Sequence, residues 1–257
     1  MTIADERLTA LKRDPRLASL KRSLEIYYGD SARNAAMEAL YGRFVGHGDL
    51  AFDVGSHVGD RIGAFRRLGA RVVAVEPQPD CGYVIRSLYG DDPGVTLVEA
   101  ACGREPGRTL LHVNTANPTV TTASADFIAA AEGAGGWEGQ VWDRQVEVEV
   151  TSLDDLARTF GRPQFVKIDV EGYEAEVLAG LSSALPALSF EFTTIQRDVA
   201  LRCTDRLLDL GPYRFNAALG EMHVLQFDEW VGGQQIKTFI ESLPHEANSG
   251  DIYALRS

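Results

Sequence analysis

Residues 51–65, AFDVGSHVGDRIGAF, carry an apolar run straight into a glycine-bearing turn and then into a helical pattern. A strand that ends in such a turn and continues as a helix is the repeating unit of α/β sheets, and this narrows the fold more than any other stretch. Gly55 and Gly59 let the backbone approach a ligand with no Cβ in the way, and the helix that follows opens with free N–H groups. The turn therefore suits a nucleotide or an amino-acid carboxylate. Alone it discriminates poorly, because glycine turns serve many α/β proteins.

The same alternation continues along the chain. Short apolar runs at 50–54, 71–75, 95–99, 165–168 and 187–192 read as strands. Helix-sized segments at 58–68, 79–89, 173–178 and 198–210 lie between and after them. Further strands at 213–217, 223–227 and 252–255, with a helix near 234–243, would complete the sheet. The expected fold is α/β and Rossmann-like: a mostly parallel sheet of about seven strands with an antiparallel edge and helices on both faces.

Two regions break the pattern. Residues 109–113 and 146–150 resemble a strand pair flanking an insertion at 114–144 that is rich in Thr, Ala and Gly and holds Trp137 and Trp142. The tryptophans favour a lid over a site, since aromatic faces pack on sugar faces as readily as on a core. Before residue 49, Leu8, Leu11, Leu17, Leu20, Leu24 and Tyr27 recur at helical spacing, and 34–44 reads as another helix. The expected division is a helical flap at 1–48 and a main domain at 49–257 with its insertion at about 109–150. The leucine-rich helices could pair two copies into a homodimer, although covering the core explains them equally well.

Composition restricts the partners. The 25 Lys plus Arg stand against 37 Asp plus Glu, and a formal charge of −12 disfavours nucleic acid or an anionic membrane. Cys81, Cys102 and Cys203 are widely spaced, which suggests neither zinc nor a disulfide framework. The N-terminal stretch alternates charges without the apolar run of a signal peptide, and no segment reaches the length of a membrane span. A cytoplasmic location is expected.

The second clue to a ligand is AVEP. Glu76 ends the second strand 23 residues after Asp53, where a carboxylate can accept both ribose hydroxyls of an adenosine. This supports a nucleoside without separating NAD from S-adenosylmethionine. The third glycine of GxGxxG is missing, which argues against an NAD-type oxidoreductase.

FDVGSHVGD, AVEP, VEAACG, SLDDL and FVKIDVEGYEAEVLAGL, in that order over about 50–192, resemble the FkbM family of class I S-adenosylmethionine-dependent methyltransferases. The resemblance implies that Asp53, Gly55, Ser56, His57 and Gly59 surround the methionine part of the cofactor. It implies Glu76 on the ribose, with Pro77 beside it, and Ala101 by the adenine. His57 stands where the family often has Asn. Members typically methylate hydroxyls of sugars or polyketide-type natural products, so a small-molecule or oligosaccharide hydroxyl is the expected acceptor. Asn114, Asn117 and Asn216, with the two tryptophans, would suit a polyol. A protein that binds the cofactor without catalysis is the alternative from another class.

Methyl transfer to oxygen needs an aligned hydroxyl and a base to take its proton. Asp169 and Glu171 follow the fourth strand at the carboxyl edge of the sheet, where doubly wound folds bind ligands. Glu191 lies in the apolar strand SFEFTT, where an acid is costly unless it finds a partner or a pocket. These three, with His112 and His223, are the candidate bases. Asp169 and Glu191 could instead hold Mg2+, which favours a few carboxylates and lowers the pKa of a bound hydroxyl.

Overall fold

The computed structural model describes residues 3–257. Three helices come first: α1 (Ile3–Arg13), α2 (Lys21–Gly29) and α3 (Ser31–Tyr41), with a 3-10 turn at Pro15–Leu20 between the first two. Then β1 (Leu50–Val54), β2 (Arg71–Val75) and β3 (Val95–Val98) alternate with α4 (Asp60–Arg67) and α5 (Pro79–Tyr89). A side sheet follows, made of β4 (Ala101–Cys102), β5 (Gly107–Val113) and β6 (Arg144–Thr151), with α6 (Ala125–Ala131) inside the β5–β6 connection. The main sheet resumes through α7 (Leu153–Phe160), β7 (Phe165–Ile168), α8 (Glu174–Ala179), β8 (Ala187–Thr193), α9 (Arg197–Leu210), β9 (Tyr213–Leu219), α10 (Gly233–Ser242) and β10 (Ser249–Arg256).

The seven-stranded sheet runs β3-β2-β1-β7-β8-β10-β9. All neighbours are parallel except β10, which is antiparallel to both β8 and β9. This is the expected Rossmann-like sheet with an antiparallel edge. β1 is buried along its whole length because helices cover both faces.

Strand alternation sorts the two faces. Phe52, Val54, Val166, Ile168 and Phe190 join one core with residues of α7 to α10. Ala51, Phe165 and Tyr253 join the other with Met37, Leu40, Tyr41 and Phe44 from α3 and its end and Phe65 from α4. Phe44 stacks on Phe165 at 5.0 Å and on Tyr253 at 5.6 Å. The same alternation sends Asp53, Lys167, Glu191 and Asp251 toward this second face. The helices before residue 49 therefore do two things: α3 forms part of a sheet-covering layer, while Leu11, Leu17, Leu20 and Leu24 pack with Val58, Cys81 and Val84.

Several local expectations change. Residues 223–227 form no strand; a single bridge joins Leu225 to Ala218, and His223 sits at a φ of +53°. The SLDDL stretch is helix α7, with the Ser152 hydroxyl accepting from the Asp155 N–H at 3.2 Å as an N-cap. The insertion is ordered around its own small core, in which Trp137 and Trp142 meet Phe127 edge-on at 5.2 and 6.2 Å. Neither tryptophan lies on the central cleft described below.

Gly55 has a φ of +82°, and a Cβ there would overlap the backbone carbonyl of Asp169. The turn after β1 thus packs directly on the turn after β7. Gly55→Ala is expected to destabilise the fold by roughly 2–4 kcal/mol, read from denaturant melts.

Candidate active site

The carboxyl ends of β1, β2 and β7 open onto one cleft. Gly55, His57, Glu76, Pro77, Ala100 and Ala101 wall one side. Asp169, Glu171 and Glu191 wall another, joined by Arg61, Tyr27, Thr121 and Glu221. Eight expected residues therefore meet here: Gly55, His57, Glu76, Pro77, Ala101, Asp169, Glu171 and Glu191. Asp53, Ser56 and Gly59 lie behind the wall instead.

Each of those three shapes the turn. Ser56 donates its hydroxyl to the Asp53 carbonyl at 2.7 Å, and Gly59 caps α4 at a φ of +84°. Asp53 is fully enclosed, neither carboxylate oxygen has a hydrogen-bond partner, and burial pushes its carboxyl up to about 6. Glu76 is better provided. One oxygen accepts from the His57 N–H and the other from the Gln78 N–H, both at 2.8 Å. Those bonds fix the carboxylate while leaving each oxygen capacity for another donor. Burial still pushes Glu76 up to about 7.

His57 adopts a φ of +46°, its Nδ1 lies 3.5 Å from the Cys81 sulfur, and its Nε2 has no partner. Burial lowers it to about 4, so the ring is neutral. The two other candidate histidines stand off the cleft. His112 pairs with Gln145 on the side sheet, and His223 packs against Tyr41 with its Nε2 3.5 Å from Glu221. As candidate bases they are corrected: the main-sheet acids reach the cleft and these rings do not. The residue beside His223, Glu221, lines it instead.

The acids are organised by cations. Lys167, with no exposed surface, lies 2.6 Å from Asp251 and 3.4 Å from Asp169. Arg61 holds the same Asp169 oxygen at 2.7 Å. Burial works to raise the Asp169 carboxyl, but Lys167 and Arg61 outweigh it and hold it well below the usual range. Glu171 and Glu191 are driven well above theirs, first by burial and then by the Asp169 charge. One acid of the three is thus held ionised while the other two retain protons readily.

Oxygens of Asp169, Glu171 and Glu191 lie within 4.8 Å of one another, a spacing that could admit a metal ion. The donor set fits Mg2+ poorly. Asp169 already faces two cationic side chains. A divalent ion there would have to share its anion with Arg61 and Lys167.

Sequence reasoning missed Tyr27, Arg61, Thr121 and Glu221 on the wall. Arg33 of α3 reaches Glu221 at 2.5 Å and Asp60 at 2.9 Å, with its guanidinium 4.8 Å above the Tyr27 ring. No local pattern announces these contacts. Glu174 had a signal, since it lies in the quoted GYEAEVLAG motif. Its Oε1 accepts from the Val170 and Gly172 N–H groups at 3.1 and 3.3 Å and shapes the turn that presents Glu171. Asn114, Asn117 and Asn216 are occupied internally, binding Gln140 or the backbone.

Removing the buried ammonium in Lys167→Met leaves Asp251 without its cation and Asp169 with Arg61 alone. A loss of about 3–5 kcal/mol near neutral pH is expected in denaturant melts, narrowing toward acid pH as Asp169 protonates.

The sequence matches the family described as the methyltransferase FkbM domain over residues 53–227. The hexuronic acid methyltransferase AglP of Haloferax volcanii is 27% identical over 164 residues, 62% of this chain and 61% of that protein. This chain therefore matches less than two thirds of that relative's length. Among solved structures, the O-methyltransferase TomG from Streptomyces achromogenes has 10% identity and a TM-score of 0.46, over 98% of this chain and 90% of that chain. A precorrin-6Y C5,15-methyltransferase from Geobacter metallireducens has 17% identity and a TM-score of 0.45, over 87% of each chain. With the family match spanning more than half of the sequence, the chain belongs to the FkbM methyltransferase family.

Proposed function

We propose that the protein is an S-adenosylmethionine-dependent O-methyltransferase that methylates a sugar hydroxyl. One observation carries the reading: a single cleft has the glycine turn and Glu76 on one wall and the Glu171–Glu191 pair on another. Gly55 and His57 would border the methionine part, Glu76 would accept the ribose hydroxyls, and Pro77, Ala100 and Ala101 would flank the adenine. Bound there, the cofactor supplies a methyl carbon on a positively charged sulfur, so that an oxygen–carbon bond forms as the carbon–sulfur bond breaks and its electron pair stays on sulfur.

The protein's part is to hold the acceptor oxygen in line and receive its proton. Asp169 is a weak base because Lys167 and Arg61 stabilise its ionised form. Glu171 and Glu191 are stronger once ionised, and Glu191 Oε2 has no other partner. The hydroxyl proton passes to this pair. The name of the AglP relative supports a sugar as acceptor, and no helix among the described residues is long and apolar enough to cross a membrane.

Two measurements test the reading. Ribose hydroxyls favour ionised Glu76, so cofactor affinity should rise as the pH climbs through about 7; calorimetry should show a Kd up to about tenfold weaker near pH 6 than near pH 8. Glu76→Gln should bind weakly at both. Glu191→Gln should keep cofactor binding while kcat on a hydroxylated acceptor falls by about 10^2–10^4. Unchanged turnover would remove Glu191 from the chemistry, and no methyl gain on any carbohydrate would end the sugar reading.

A further inference from the structure

The charges around the inner end of the cleft do not balance. Arg33 is shared by Asp60 and Glu221, Arg61 by Asp169 and Glu221, and Lys167 by Asp169 and Asp251. Three cations thus already serve four acids. Glu171 and Glu191 add two more carboxyls to the wall, and neither has a cation within ion-pair distance among the described residues. Glu191 Oε2 is enclosed and has no hydrogen-bond partner.

A third group is also unmatched. Thr121, on the cleft wall and only 8% exposed, has a hydroxyl with no partner. Its neighbour Thr122 ties this segment to the turn that carries Glu171, donating to the Glu171 carbonyl at 2.6 Å and exchanging backbone hydrogen bonds with His112. Buried polar groups left without partners are costly, so a wall with an unmatched Glu191 oxygen, an unmatched Thr121 hydroxyl and a second carboxyl that lacks a cation fits a ligand that brings donors and positive charge.

We propose that the acceptor is an amino sugar, its ammonium held between Glu171 and Glu191 and a neighbouring oxygen by Thr121. This rests on the sugar-hydroxyl reading of the cleft and narrows its substrate. The ammonium keeps both glutamates ionised, and Glu191 Oε2 has no competing partner for the hydroxyl proton. A uronic acid, the class in the name of the Haloferax relative, would add a carboxylate to a cluster whose oxygens already lie within 4.8 Å. Like charge at that spacing opposes binding.

The test uses methyl glucosides that differ only at C6, carrying an ammonium, a hydroxyl or a carboxylate, together with the 2-amino sugar. The full chain is assayed for methyl transfer at saturating cofactor, and binding is measured by calorimetry on protein loaded with S-adenosylhomocysteine. An amino sugar should exceed the neutral glucoside by about tenfold in kcat/KM and in affinity, with the glucuronide about tenfold below it. Glu171→Gln and Thr121→Val should each shrink that preference, and Thr121→Ser should restore it. Equal use of all the sugars, or a preference for the glucuronide, would overturn the amino-sugar assignment while leaving sugar methylation standing. Tighter binding of an amino sugar with no methylation of any would support the charge assignment and end the methylation reading. Failure of every sugar to bind would overturn both.

Discussion

The ammonium of Lys167 is the charge on which the cleft depends. It sits in the middle of β7 with no exposed surface, and strand alternation turns it toward the face shared with Asp53, Glu191 and Asp251. A buried lysine costs several kcal/mol unless it is paired, and two aspartates pair it. Asp251 comes from β10, so the contact also ties the antiparallel strand to the parallel half of the sheet. Asp169, kept ionised by Lys167 and Arg61, in turn helps drive protons onto Glu171 and Glu191. A charge that does not line the cleft thereby sets which of its acids hold protons.

The cleft is assembled from segments with little in common locally. The glycine turn supplies a close-approach floor, because Gly55 has no Cβ to collide with the Asp169 carbonyl. Glu174 braces the turn after β7 from below through two backbone N–H groups. Tyr27 and Arg33 arrive from the first helices, Thr121 from the β5–β6 connection, and Glu221 from the loop after β9. Arg33 links two of these arrivals by holding Glu221 and lying over Tyr27. The insertion serves the cleft through small threonine side chains, while its tryptophans hold it together from within.

Much of the fold was legible in the sequence where a backbone need imposes a local residue pattern. The apolar runs at 50–54, 71–75 and 165–168 became β1, β2 and β7 at those bounds. The run at 223–227 misled because alternating apolar residues also suit a loop that packs down after Gly220 and is tied to the sheet by one bridge. Trp137 and Trp142 misled for a related reason: aromatic rings that fit a sugar fit Phe127 equally well. Asn114 and Asn216 suited a polyol by type, yet nearby backbone groups claimed their polar atoms first.

What the sequence determined by itself was the order of strands and helices, the glycine turn, the acid after β2 and the acids after β7, all encoded over a few neighbouring residues. Tertiary structure alone decided which acids are ionised and which residues complete the wall. Lys167 meets Asp251 across 84 positions of chain, and Arg33 meets Glu221 across 188. The reason is physical: a carboxylate's protonation follows from burial and from charges a few ångströms away, and those distances exist only once the sheet has closed around them.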